Sequence, residues 1–167
     1  MRPLGVLLVT SLASLSAQCD PIWAGGYGCP GVAMEARAAT TWDPDGPGPL
    51  GAHLVVGGFL QVAGRAACDK LAMWDPLTRT WSAVASPPGE VASALAVLPN
   101  GELAVATHAQ PFPFSEPTDV YRFDGTSWLA MGGTFDERVD ELLVSATGEL
   151  YAAGAFAQVG GAAIGAF

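Results

Sequence analysis

The residues able to do chemistry are few, and their spacing matters more than their number. His53 and His108 are the only histidines, and neither has a second His or a Cys at metal-ligand spacing. Both lie in apolar, strand-like stretches and read as structural. Cys19, Cys29 and Cys68 form no CxxC pair, so there is no zinc signal. Asp136-Glu137 and Asp140-Glu141 gather carboxylates around Arg138. Paired carboxylates do acid–base work at suitable separations. Adjacent strand residues point to opposite faces, however, so a solvated connection between strands is expected there. Asp43-Pro44-Asp45-Gly46 has the alternating oxygens of a calcium loop but lacks the later Asp and the distal Glu. Pro44 and Pro47 make it a plain turn. GxSxG, HExxH and phosphate-loop motifs are absent from the sequence. The expectation is a chain with no catalytic residue, no metal and no cofactor, leaning away from an enzyme.

The most suggestive binding feature is QPFPFSEPT, from Gln110 to Thr118, where Phe112 and Phe114 alternate with prolines between two expected strands. Aromatic residues exposed on a loop contact sugars or protein partners. The competing reading folds both rings back onto the sheet.

Composition bounds the rest. The 167 residues are half hydrophobic, enough to fill one core, with a formal net charge of −9. An acidic chain without a basic cluster repels phosphate backbones, so no nucleic-acid partner is expected. Residues 1–17 read as a signal peptide, with Arg2, an apolar run from Leu4 to Leu15, and small residues at Ser14, Ser16 and Ala17. That run is too short to span a bilayer, which needs about 20 apolar residues. The expected location is therefore secreted or periplasmic. Export permits a disulfide between Cys19 and Cys29, which flank a turn-rich segment, and leaves Cys68 as a buried small hydrophobe.

A repeat of about 47 residues runs through the remainder. Trp81 and Trp128 are 47 apart, and so are Gly101 and Gly148 within Asn-Gly-Glu-Leu and Thr-Gly-Glu-Leu. GGFLQVAG (57–64) matches GAFAQVGG (154–161) at an offset of 97, pairing Gly57 with Gly154. A weaker upstream copy lies at Trp23 and ARAATTWD (36–43). HLVVGGF, KLAMWD, TWSAVA and SALAVLP are strand-length runs, separated by turn signals such as Asn100-Gly101 and Asp124-Gly125. No window is long enough for a stable helix. Each period thus holds about four strands, the size of one β-propeller blade.

The run from Gly57-Gly58 through Trp74-Asp75-Pro76 to Trp81 resembles a kelch repeat. In that family a Gly-Gly pair ends one strand, and an aromatic-Asp-Pro turn leads to a Trp about six residues on. The next copy departs, with Thr107-His108 in place of Gly-Gly and only four residues between Phe123 and Trp128. The segment is also similar to the degenerate repeats of large secreted bacterial proteins. Galactose oxidase shares the kelch-type architecture and uses a copper site of tyrosines and histidines. No motif assigns Tyr27, Tyr121, Tyr151 or Cys68 those roles, so the activity is not carried over.

The expected fold is all-β, a partial propeller of about two and a half to three four-stranded blades. Residues 18–48 form an N-terminal segment with a possible partial blade, and residues 49–167 form the kelch-like blades. Trp74, Trp81 and Trp128 serve as apolar anchors; Gly57, Gly58, Gly101, Gly148 and Gly154 serve turns and close approaches. Ile164-Gly165-Ala166-Phe167 resembles Leu71-Ala72-Met73-Trp74, so the last blade reads as truncated and the chain as a fragment of a larger propeller. The rival is a short chain that closes by self-association. The expected function is a secreted, non-enzymatic binding or scaffold module with a protein or carbohydrate partner. The alternative is a piece of an extracellular propeller enzyme, an oxidase or a carbohydrate-active one, with its catalytic residues elsewhere.

Overall fold

Gly-, Pro- and Asp-bearing turns cut the apolar runs into short segments, and each segment pairs with its neighbour. The computed structural model describes residues 31–109 and 117–164. Residues 1–17, read above as a signal peptide, together with Cys19, Cys29, Phe112, Phe114 and residues 165–167, lie outside them. Among the described residues there is no helix.

Sheet 1 is an antiparallel meander of β1 (Val32–Trp42), β2 (His53–Ala63), β4 (Leu71–Asp75) and β5 (Thr80–Ala83), with β3 (Ala66–Ala67) folded against the end of β2. Sheet 2 repeats the plan with β6 (Val91–Val97), β7 (Leu103–His108), β8 (Thr118–Phe123) and β9 (Trp128–Ala130). Sheet 3 has β10 (Val139–Val144) and β11 (Leu150–Gly154), followed by a hairpin of β12 (Gln158–Val159) and β13 (Ala162–Ala163). Phe135 bridges that hairpin to the start of β8 by pairing with Thr118 and Val159. Because β1 pairs with β2 over its whole length, the first sheet starts at Val32, and residue 49 falls in the β1–β2 loop.

Matching turns explain the 47-residue period. The Gly101 amide donates to the Leu98 carbonyl at 2.9 Å, and the Gly148 amide to the Ser145 carbonyl at 3.0 Å. Both glycines sit in the left-handed region, at φ +86° and +93°, where a Cβ is strained. At the far end of each full sheet an Asp closes the turn. Asp75 accepts from the Leu77 amide and the Thr78 hydroxyl, and Asp124 from the Thr126 and Ser127 amides. These turns bring Trp74 opposite Trp81 and Phe123 opposite Trp128, with ring centroids 5.4 and 4.7 Å apart. Four and six intervening residues therefore give the same cross-strand aromatic pair.

The core lies between sheets. Trp42, Val55 and Leu71 of sheet 1 meet Ala92, Leu95, Leu103, Val105 and Phe123 of sheet 2. On the opposite face of sheet 2, Ala94, Ala96, Ala104, Ala106 and Val120 meet Val139 and Leu142 of sheet 3. Sheet 2 is thus covered on both sides. A doubly covered strand reads as a continuous apolar run, which is the pattern of β6 and β7. The small alanines of β6 and β7 on that face let sheet 3 approach closely. Trp42 is 4% exposed and spans the first interface, its indole N–H donating to the Gly101 carbonyl at 2.8 Å. Trp128 is half-buried at the same interface and donates to the Ala85 carbonyl at 3.1 Å. Trp81 packs on the other face of sheet 1, beside Leu60 and Ala63.

Candidate functional site

One irregularity recurs in all three sheets. The pairing of the first strand with the second slips by one residue between Ala36 and Ala38, between Ala92 and Ala94, and between Val139 and Glu141. The extra residues are Arg37, Ser93 and Asp140. A β-bulge bends its strand and re-aims a side chain, and such bulges gather near functional sites. Here they fall at the same position of β1, β6 and β10, and these strands pack side by side. The bulge residues consequently meet: Glu35, Arg37, Ser93, Arg138 and Asp140 line a single cavity of 260 Å³.

The Gly-Gly motif has its physical reason at this bulge. A Cβ on Gly58 would lie 2.0 Å from the Glu35 carbonyl oxygen, and one on Gly154 would lie 2.1 Å from that of Arg138. The bulged backbone crosses directly over these two positions. Aligned on the bulges, Gly58 corresponds to Gly154 and Thr107, and Gly57 to Ala106. That register differs by one residue from the one read in the sequence, where Gly57 was paired with Gly154 and Thr107-His108 with Gly57-Gly58. The two-residue turns agree with the structural register: Gly64-Arg65 and Gly160-Gly161 close equivalent hairpins at an offset of 96. Gly57 itself faces Ala92 and Leu95 across the sheet 1–sheet 2 interface.

The side chains form two acid–base pairs around a central hydroxyl. Arg37 Nε donates to Glu35 Oε1 at 3.0 Å, and its Nη1 lies 3.1 Å from His108 Nε2. A guanidinium only donates, so His108 Nε2 accepts and the ring proton resides on Nδ1. His108 is 2% exposed, at the end of β7. Arg138 pairs with Asp140 through Nε and through Nη2, the latter at 3.1 Å. Between the pairs, the buried Ser93 hydroxyl is 2.8 Å from the Val139 carbonyl and 3.3 Å from that of Ala106, which ties β6 to β10. The carboxylates of Glu35 and Asp140 remain about half exposed, at 51% and 48% of their side-chain surface.

The other polar residues singled out in the sequence have local duties. Asp140 and Glu141 lie on β10 itself rather than in a connection. Asp136 Oδ1 accepts the amides of Ala157 and Gln158 at 2.9 Å, and the Gln158 amide above all holds its carboxyl below the usual range. Asp45 accepts the Leu50 amide inside the β1–β2 loop. His53 is buried at the start of β2. Cys68 is a free thiol, its pKa raised by burial and then by the neighbouring Asp69 charge. Among the described residues, no group of three or more His, Cys, Asp or Glu side chains is placed to hold a metal ion, and no helix is long and apolar enough to cross a membrane.

Sequence reading missed Trp42 as the central anchor and the bulge residues as a group. Trp42 had a signal, the ARAATTWD copy upstream. Arg37, Ser93 and Asp140 share no residue type, so no repeat motif marks them. No protein-family model, curated protein or solved structure matches this chain.

Proposed function

We propose that sheets 1 and 2 are consecutive blades of a β-propeller, that sheet 3 begins the next, and that the protein is an extracytoplasmic, non-enzymatic binding module. The kelch resemblance around Trp74-Asp75-Pro76 and Trp81 agrees with this reading, as does the leader-like composition of residues 1–17. The observation that carries it is the stacking: sheet 2 is covered on both faces, and the first strands β1, β6 and β10 lie side by side. Propeller blades pack face to face with their first strands around the axis. In that frame the bulge cavity is axial, the position from which one ligand touches several blades. Its salt-bridged side chains are suited to holding a ligand rather than transforming one. No nucleophile–base pair is assembled among its lining residues.

The experiment is titration of the isotopically labelled chain with mixed libraries of oligosaccharides and short peptides. Amide shifts centred on Arg37, Ser93 and Asp140 are expected. Shifts confined to other surfaces, or chemical conversion of the added compound, contradict the proposal. Cell fractionation of the tagged protein tests its location, with recovery in the cytoplasm as the contrary result.

A further inference from the structure

We infer that the bulge cavity takes an uncharged, polyhydroxylated ligand, a neutral sugar unit; this rests on the binding-module reading above. The lining of the cavity is balanced in charge. Glu35 is paired with Arg37 and Asp140 with Arg138, so the lining charges cancel within each pair. A cation gains nothing from carboxylates already matched by guanidinium groups, and an anion meets those same carboxylates on a chain of net charge −9.

Acceptors and donors also alternate along the lining. Glu35 and Asp140 are each held by an arginine, which fixes their orientation while leaving about half of each side chain open. Fixed acceptors lower the ordering cost of binding. The Arg138 guanidinium, whose side chain is 32% exposed, supplies donors at the same rim. A hydroxyl donates and accepts at once, so neighbouring hydroxyls on a ring match carboxylate and guanidinium set side by side. Hydroxyl-to-carboxylate bonds are of the stronger, charge-assisted kind.

Size and rigidity favour the same ligand. The 260 Å³ cavity is near the lower end of small-molecule sites, which run from about 300 Å³, so it fits a single sugar ring better than a chain of them. Its residues come from three bulged strands, of which β6 and β10 are pinned by the Ser93 hydroxyl to the Val139 carbonyl, a support for hydrogen bonds that need direction.

The test is a glycan array carrying neutral, sialylated and sulfated oligosaccharides, probed with the full chain and with Glu35→Gln and Asp140→Asn. Neutral glycans should be retained, with affinity little changed by added salt. Each variant should bind about tenfold or more weakly, since each loses a hydrogen bond to a charged group. Both carboxylates are half exposed and each new amide keeps an oxygen for its arginine, so the variants should keep the wild-type circular dichroism. Retention of only sialylated or sulfated glycans overturns the inference, as does retention of none. Neutral-glycan binding that neither variant weakens also overturns it. Peptide-induced shifts at the cavity without glycan binding would refute the sugar and leave the binding module standing; the absence of any ligand at the cavity would remove both.

Discussion

Trp42 carries the sharpest energetic prediction, because its indole ties sheet 1 to sheet 2 in two ways. The side chain is 4% exposed among Val55, Leu71, Leu103 and Phe123, with the Phe123 ring 6.1 Å away. Its N–H donates to the Gly101 carbonyl, the left-handed turn residue of sheet 2. Truncating a buried aromatic to Ala costs about 3–5 kcal/mol in transfer and cavity terms. Trp42→Phe keeps most of the apolar contact but leaves the Gly101 carbonyl without its partner, at about 1–3 kcal/mol. For a chain of this size, each kcal/mol lowers the melting temperature by about 2–4 °C. Trp42→Ala should therefore melt about 6–20 °C below wild type. Trp128→Ala, made at a half-buried ring, should lose clearly less. Thermal and urea unfolding of the two variants side by side is the assay. If Trp42→Ala loses less than Trp128→Ala, the inter-sheet core is not centred where the structure places it.

Gly58→Ala should destabilise more than Gly101→Ala, although Gly101 has the positive φ. At Gly58 the new methyl group collides with the Glu35 carbonyl, whereas the space around Gly101 is open. Comparable melting temperatures for the two variants would contradict the bulge geometry. Ser93→Ala removes the hydroxyl that reaches the Val139 and Ala106 carbonyls and should cost about 1–3 kcal/mol. Hydrogen exchange should then quicken along β10, and unchanged protection there would count against the link. Among the carboxyls held below their ordinary range are Asp136, by the Gln158 and then the Ala157 amide, Asp124, by the Ser127 and Thr126 amides, Asp75, by the Thr78 hydroxyl and Leu77 amide, and Glu149, by the Thr147 and Ser145 hydroxyls. A depressed carboxyl stabilises the fold above its unfolded pKa, and that contribution is lost as pH falls through the folded value. The melting temperature should be flat from pH 7 to about 5 and fall below about pH 4. A rise on acidification would contradict these hydrogen bonds.

The all-β class, the strand lengths and the turns were legible because each leaves a local mark. Asn100-Gly101 and Asp124-Gly125 announce tight turns, and SALAVLP announces a strand, whereas its coverage on both faces is decided by the sheets that flank it. The aromatic pairs were legible as residues but not as packing. Trp74, Trp81 and Trp128 stand out by type, yet burial depends on which neighbouring sheet lies over a strand, and this placed Trp42 at the centre instead. The cavity was the least legible feature. A bulge adds one residue to one strand, so it shifts the register without changing composition. That is why the best sequence match joined Gly57 to Gly154, while the backbone crossing selects Gly58. Arg37, Ser93 and Asp140 then converge only through the stacking of three strands that are far apart in the chain.

The decisive measurement is of pairwise distances between spin labels placed on β1, β6 and β10. β1, β6 and β10 should lie side by side, with sheet 2 between its neighbours and the bulges at Arg37, Ser93 and Asp140 opening into one cavity. Sheets packed in any order that leaves a face of sheet 2 in solvent, or bulge residues pointing to separate surfaces, would contradict it.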